Sequence, residues 1–369
     1  MIERYYDIGK LIKSGRVLVI YGPRCVGKTT LLESFLQHTK LKYKLDSGDN
    51  IRTREILSSS EFPRILEYIS GYELLAIDEA QQIREVGAGL KIIVDQAKNI
   101  KVVVTGSSSF ELSQKIGEPL TGRKETVILY PISQKELLKS HNRHELRERL
   151  GEFLVFGSYP AVASAKGKRD KAKILTEIAD SYLLKDILTL EKVKSSKVLL
   201  SLLKLLAFQV GQLVSMNELA GQLAIDIKTV GRYLDLLEKS FIIKAVGGFS
   251  RNLRKEISKK NKYYFLDNGI RNAVILQFND IADRNDIGAL WENFIFTERL
   301  KKRAYESIYG YVYFWRTYQG DEIDLVEERD GKLYGYEIKW GKTNVKVPAR
   351  WTGTEFKIIN RDNYLDFIT

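Results

Sequence analysis

The sequence predicts an α/β chain with a parallel-sheet core, a helical segment, a three-helix segment closed by a hairpin, and a mixed α/β piece at the end. Three observations predict it. Arg16-Val-Leu-Val-Ile-Tyr21, Leu74-Leu-Ala-Ile-Asp78 and Lys101-Val-Val-Val-Thr-Gly106 are short apolar runs of the kind buried in a parallel sheet. Lys197 to Glu238 holds helical patterns with capping residues between them, followed by two β-rich runs. Near the C-terminus two alternating stretches flank Asp330-Gly331, a dipeptide that favours a tight two-residue hairpin. The expected boundaries are 1–132, 133–192, 193–282 and 283–369.

The first strand runs into Gly22-Pro23-Arg24-Cys25-Val26-Gly27-Lys28-Thr29-Thr30. This fits G-x-x-x-x-G-K-[ST], a loop whose consecutive backbone N–H groups wrap a phosphate ahead of a helix N-terminus. Lys28 is expected to reach the β- and γ-phosphates, and the Thr29 hydroxyl to hold Mg²⁺. Gly22 and Gly27 allow backbone geometry that a side chain would block. Strand, loop and the helical Thr30 to Gln37 follow in the order such a site requires.

Leu74 to Asp78 ends in the pair Asp78-Glu79. Asp78 at a strand's carboxyl end is placed to hold the Mg²⁺, and Glu79 to polarise an attacking water. That pairing points to ATP hydrolysis, with ATP/ADP and Mg²⁺ as cofactors. Thr105 and Ser107 close the third strand and are candidates for sensing the γ-phosphate or orienting the water. Arg123, in Leu120-Thr-Gly-Arg123, is the candidate arginine finger, acting in cis or from a neighbouring copy through self-association.

Composition sets limits. The chain has 369 residues, 44% of them hydrophobic, enough for full cores. It has no long apolar run, so no membrane span is expected. Met1-Ile-Glu-Arg-Tyr-Tyr-Asp7 lacks the apolar core of a secretion signal. The one cysteine, Cys25, rules out an internal disulfide framework and fits the reducing cytoplasm. The net charge of +12 suits a polyanionic partner, nucleic acid first, although it also serves plain solubility.

From Gln134 to about residue 190 the pattern is helical, as for a small lid. It is interrupted by Gly157-Ser-Tyr-Pro160, a turn in which Pro160 could press on an adenine or simply break a helix. Lys197 to Phe208 follows as a helix with a broad apolar face. Ser215-Met-Asn-Glu218 fits a capping box, and Asp226 caps the next helix. Phe241 to Val246 and Lys262 to Leu266 are expected to pair as strands. Three helices and a hairpin describe a winged helix-turn-helix, whose third helix can enter a major groove. Lys228, Thr229, Arg232 and Tyr233 are then the candidate DNA contacts. Arg251, Arg254, Lys255, Lys259 and Lys260 form a basic wing for phosphates. The same fold also serves packing or protein contact alone.

Counting outward from Asp330-Gly331 sets Asp324 opposite Glu337 and Glu322 opposite Lys339. Ile323, Leu325, Tyr336 and Ile338 occupy the other, apolar face. Facing carboxylates repel unless a cation lies between them. Asp324 and Glu337 are therefore candidate ligands for a second divalent metal, Mg²⁺ or Mn²⁺, and resemblance to PD-(D/E)XK nucleases implies Glu292, in the helical Leu290 to Glu298, as the further acidic ligand. Lys339 would orient a water for attack on a phosphodiester. The bland alternative is a half-exposed hairpin with a Glu322–Lys339 ion pair on its wet side.

Taken together these residues resemble a known family over nearly the whole chain. It is the archaeal and bacterial AAA+-type ATPases that join a P-loop NTPase core to a winged helix and a C-terminal PD-(D/E)XK, restriction-endonuclease-like domain. The resemblance rests on the phosphate loop, Ala76-Ile-Asp-Glu-Ala80, Thr105-Gly-Ser107, Leu120-Thr-Gly-Arg123 and Gly157-Ser-Tyr-Pro160. It continues through Thr229 to Leu234, Tyr264-Phe-Leu-Asp-Asn-Gly269, Trp291-Glu-Asn293, Glu322-Ile-Asp324 and Glu337-Ile-Lys339. It implies ATP hydrolysis and association with DNA. A signalling switch that turns ATP over slowly, with an inert nuclease-like end, is the rival expectation.

Overall fold

The computed structural model describes residues 2–107, 119–183, 195–250, 260–341 and 345–369. The chain divides into two compact units. One is Arg4–Tyr130 with Lys239–Phe241; the other takes Pro131–Glu238 and Ile242–Thr369 together with the start of the chain.

The first unit is built on a five-stranded sheet of β1 (Val17–Tyr21), β2 (Tyr43–Ser47), β3 (Leu74–Asp78), β4 (Lys101–Gly106) and β5 (Lys124–Ile128). All neighbours are parallel, in the order β2-β3-β4-β1-β5. Every residue of β1 is buried, as are Leu74 to Ile77 and Val102 to Gly106. Central strands covered on both faces must be apolar throughout, and that is why these runs show no alternation. β2 lies at the edge and leaves Tyr43 and Leu45 exposed. β1 passes through the helix Lys28–His38 to β2 on one side, while β5 lies on its other side. A crevice forms at the carboxyl ends of strands where the order reverses in this way. The phosphate loop follows β1 there, and β4 lies between β1 and β3, bringing Thr105 beside Asp78.

The second unit carries a seven-stranded mixed sheet. Its strands are β6 (Leu213–Val214), β7 (Ile243–Gly248), β8 (Asn261–Phe265), β9 (Tyr311–Arg316), β10 (Glu322–Arg329), β11 (Lys332–Ile338) and β12 (Glu355–Ile359). The order is β12-β11-β10-β9-β7-β8-β6. Helices Ser196–Phe208, Met216–Leu223 and Ile227–Lys239 precede the antiparallel pair β7–β8. Ser215 caps by accepting from the Glu218 N–H at 3.4 Å, but the reciprocal half of the box is replaced by a Gln222 side-chain bond to Glu218. β7 then pairs in parallel with β9 through Gly247 with Tyr313 and Gly248 with Phe314. The hairpin after the three helices and the sheet of the C-terminal segment are thus one continuous sheet.

The β10–β11 register runs from Leu325 opposite Tyr336 to Arg329 opposite Lys332. Asp330 and Gly331 turn the hairpin with φ of 51° and 72°, the double positive φ of a two-residue turn. Ile323, Leu325, Tyr336 and Ile338 are buried as their alternation implies. The opposite face is not wet, since Asp324 and Glu337 are buried too, while Glu327 is buried on the apolar face with Leu325 and Tyr336. The helix Ile287–Tyr305 covers this sheet. Its Arg299 clamps Glu327 with two bonds of 2.8 and 2.9 Å, and its Trp291 and Phe294 pack with Tyr364.

Candidate functional site

The phosphate loop is shaped by its own residues. Gly22 sits so close to the chain beyond β5 that a Cβ there would come 2.1 Å from the Leu129 carbonyl oxygen. Val26 is fully buried and anchors the loop. The Arg4 guanidinium donates to the Val26 carbonyl at 2.5 Å and to the Tyr130 carbonyl at 2.5 Å. An arginine ahead of the first strand has no spacing that would have marked it. Pro23 is buried, Arg24 is half-buried, and Cys25 is exposed with φ of 61°. Gly27 ends the loop in a left-handed conformation, and Lys28 opens the helix.

Lys28 is 5% exposed, and its Nζ donates to the carbonyls of Gly22 at 2.9 Å and Pro23 at 2.8 Å. Burial pulls its pKa down from 10.5 to about 8, against the opposing pull of Glu79 and Asp78. Thr29 Oγ1 donates to Asp78 Oδ2 at 2.7 Å. Thr105 Oγ1 donates to the other Asp78 oxygen and accepts from the Glu79 N–H at 3.2 Å. Glu79 leaves the strand with φ of 50°. Its carboxylate accepts from Gln81 Nε2, which also reaches Ser107 Oγ at 3.0 Å. Gln81, 2% exposed, was absent from the sequence reading; only its place two residues after Glu79 hinted at it. Thr29, Asp78, Glu79, Thr105 and Ser107 therefore belong to one hydrogen-bonded network through Gln81, and Lys28 lies near enough to feel the charges of Asp78 and Glu79. Thr30 is exposed on the first turn of the helix.

These residues fit a magnesium nucleotide. A buried ammonium is held by main-chain carbonyls of the loop it would share with a phosphate. A hydroxyl and a carboxylate already meet beside it, the oxygen donors that Mg²⁺ prefers. Thr29 and Asp78 would hold the ion, which neutralises charge on the phosphates when bound.

Arg123 does not join them. It immediately precedes β5, and its carbonyl accepts from the Val17 N–H at 2.8 Å, at the start of β1. The phosphate loop leaves the far end of β1. Five strand residues put about 16 Å between the two ends, so the finger role in cis is corrected. Its guanidinium instead pairs with Asp95 at 2.5 Å. Pro160 lies in the other unit, as first residue of the helix Pro160–Ser164.

Of the candidate DNA contacts, Lys228 and Arg232 are exposed. Tyr233 is 2% exposed and lies on the buried stripe with Val230, Leu234 and Leu237, so its side chain has no access to a base. The Thr229 hydroxyl donates to Asp226 at 2.6 Å and its N–H to the same carboxylate at 2.9 Å, a helix cap. Arg251, Arg254, Lys255 and Lys259 lie outside the described residues, and Lys260 is exposed.

At the C-terminal cluster, Asp324, Glu337, Glu292 and Lys339 come together, with a residue the sequence reading missed. Lys262, 2% exposed, places Nζ 2.6 Å from Glu322, 3.3 Å from Glu292 and 3.9 Å from Asp324. Lys339 lies 2.7 Å from Glu337 and 3.6 Å from Asp324. The expected Glu322–Lys339 pair is replaced by these contacts. Tyr264 donates to Glu292 at 2.7 Å. Burial pushes Glu292 up to about 7, with Lys262 opposing. Ammonium groups already stand where a second divalent cation would go: Lys262 against Glu292 and Asp324, and Lys339 against Asp324 and Glu337. Among the described residues no group of three or more His, Cys, Asp or Glu is disposed to hold a metal. The missed cue was alternation, since Lys262 and Tyr264 share one face of an otherwise apolar strand.

Three of the sequence motifs prove to be one joint. The Ser158 N–H donates to Asp267 at 2.8 Å, and Asp267 also caps Asn268–Val274 through the Ile270 N–H. Asn293 bonds both the N–H and the carbonyl of Phe265 and reaches Asn268. Gly157, at φ of 65°, approaches Asp267 so closely that a Cβ would lie 2.0 Å from Oδ1.

Comparison with known proteins agrees with the first unit's geometry. Residues 14–138 match the AAA domain family. The chain carries an AAA-type ATPase domain. Residues 147–281 and 287–350 match two domains of unknown function, DUF8612 and DUF4143. An uncharacterized protein of Haemophilus influenzae is 29% identical over an alignment of 392 residues, covering 99% of this chain and 92% of that one. Another, of Mycobacterium tuberculosis, is 28% identical over 327 residues, covering 88% and 70%. Among solved structures, domain III of the Thermotoga maritima replication initiation protein DnaA is similar over 44% of this chain and 77% of that one. Its identity is 17% and its TM-score 0.28, too slight to argue from. Among the described residues no helix is long and apolar enough to cross a membrane.

Proposed function

We propose that this chain binds ATP with Mg²⁺ in the crevice at the carboxyl ends of β1, β3 and β4 and hydrolyses it. The observation that carries the reading is the meeting of Thr29 and Asp78 at 2.7 Å beside the buried Lys28 ammonium. The loop amides and Lys28 bind the phosphates. Thr29 and Asp78 hold the ion. Glu79, aimed by its left-handed backbone and by Gln81, takes the proton of the attacking water. Thr105 fixes Asp78 and the Glu79 backbone together, and Ser107 steadies Gln81. Arg123, excluded in cis, is left for a neighbouring copy's nucleotide.

The proposal extends to DNA. The three helices and the β7–β8 hairpin support a winged helix that docks through exposed Lys228, Arg232 and Lys260. The hairpin β10–β11 beneath the helix Ile287–Tyr305 supports a nuclease-like fold for the C-terminal segment, without cleavage.

Calorimetry and turnover assays on wild type, Lys28→Ala and Glu79→Gln test the ATP reading. Wild type binds and hydrolyses; Lys28→Ala loses binding; Glu79→Gln binds but loses about 10²-fold or more in turnover. Unchanged turnover in Lys28→Ala refutes the site. Running the assay with and without DNA separates a DNA-coupled ATPase, which is stimulated, from a switch, which is not.

A further inference from the structure

We propose that the Lys262 ammonium permanently occupies the place a divalent cation would take among Glu292, Glu322 and Asp324, so that this cluster is a metal-free joint within the seven-stranded sheet. Its geometry is that of a cation site with the cation built in. Lys262 comes from β8, Glu322 and Asp324 from β10, and Glu292 from the covering helix. One ammonium therefore ties three elements that are distant in sequence, with Nζ between 2.6 and 3.9 Å from the three carboxylates. Its Nζ also lies over the Phe314 ring of β9, 5.5 Å from the centroid.

The charges explain why a lysine suffices. Glu292, Glu322, Asp324 and Glu337 supply four carboxylates; Lys262 and Lys339 supply two ammonium groups, and Arg316 stands 3.6 Å from Glu322. Burial pushes Glu292 up to about 7 and also raises Glu337. Burial draws the Lys262 pKa down, but the three carboxylates outweigh it and hold the ammonium charged. A divalent ion entering here would have to expel a buried, charged lysine from the strand that carries it. Lysine is unlike water in this respect: it is covalently tethered to β8 and cannot diffuse away.

The test is Mn²⁺ binding by the full chain without nucleotide, read from the loss of the free-ion paramagnetic resonance signal. Any Mn²⁺ at the phosphate loop is common to all variants and cancels in the differences. Wild type and Asp324→Asn are expected to bind equal amounts. Lys262→Met is expected to bind one more Mn²⁺ per chain than wild type, and Lys262→Met/Asp324→Asn to lose it again. Lys262→Arg, which keeps the charge, gains none. Two results overturn the proposal: Asp324→Asn lowering the Mn²⁺ bound by an otherwise wild-type chain, or folded Lys262→Met gaining none. If Lys262→Met does not fold, the comparison of wild type with Asp324→Asn decides alone. ATP affinity plays no part in these readouts, so they stand or fall apart from the nucleotide site.

Discussion

Lys28 carries its charge where burial opposes it. Its pKa of about 8 in the folded protein lies below the ordinary 10.5. Between those values the unfolded chain binds more protons than the folded one, so the cost of burying this ammonium is relieved as pH rises across that window. Nucleotide binding runs the other way. Phosphates favour the ammonium, and above about pH 8 the empty site must first take up a proton. ATP affinity is therefore expected to stay level below pH 8 and then to fall by up to about tenfold per pH unit. Calorimetry near pH 9 in buffers of different ionisation enthalpy should show about one proton taken up per ATP bound. No uptake would mean that Lys28 does not meet the phosphates. Spacing alone made Lys28, Thr29, Asp78 and Glu79 legible, because a strand-loop-helix sequence fixes them relative to one backbone. Arg4, Gln81 and Lys262 were not legible in that way. Each acts through a long-range contact that only the folded chain creates.

At the scale of elements, the runs written in apolar residues were readable and the joints between them were not. β1, β3 and β4 lie where their unbroken aliphatic runs place them. The Asp330-Gly331 turn sets the register that counting outward implies, because a two-residue turn leaves no freedom to slip. Arg123 was misplaced because its sequence neighbourhood says nothing about which end of a parallel sheet a residue occupies. Tyr233 was misread because an aromatic on a helix serves a core as readily as a ligand. The Gly157 turn shows what a joint demands. With φ of 65° and Asp267 2.0 Å from any added Cβ, Gly157→Ala must move a carboxylate that holds the Ser158 and Ile270 N–H groups. A loss of about 3 kcal/mol is expected from the strain and the broken bonds. Thermal melts of Gly157→Ala beside the exposed control Gly288→Ala check it. Equal melting temperatures would show that the turn is not tied to Asp267.

On the scale of the whole molecule, charge is the property that no single contact explains. The sequence holds 59 Lys and Arg against 47 Asp and Glu, while inside the second unit acids and bases pair closely, as at Glu327 and around Lys262. Paired interior charges leave the positive excess to the surface, where a polyanion can use it. Phosphates neutralised by protein cations release counterions, so the logarithm of affinity falls linearly with the logarithm of salt concentration, by about 0.9 per contact on duplex DNA. Lys228 and Arg232 lie four residues apart on one helix and are both exposed, so both can reach a single duplex backbone. Lys228→Ala/Arg232→Ala is then expected to lower the slope by about 1.8 and to weaken binding alike across sequences, since phosphates carry no base identity. Fluorescence anisotropy of labelled duplexes over a salt series measures both quantities. A slope equal to that of wild type would place the helix Ile227–Lys239 away from DNA and leave it to packing. A slope reduced on one sequence but not on another would instead mean that these side chains read base edges.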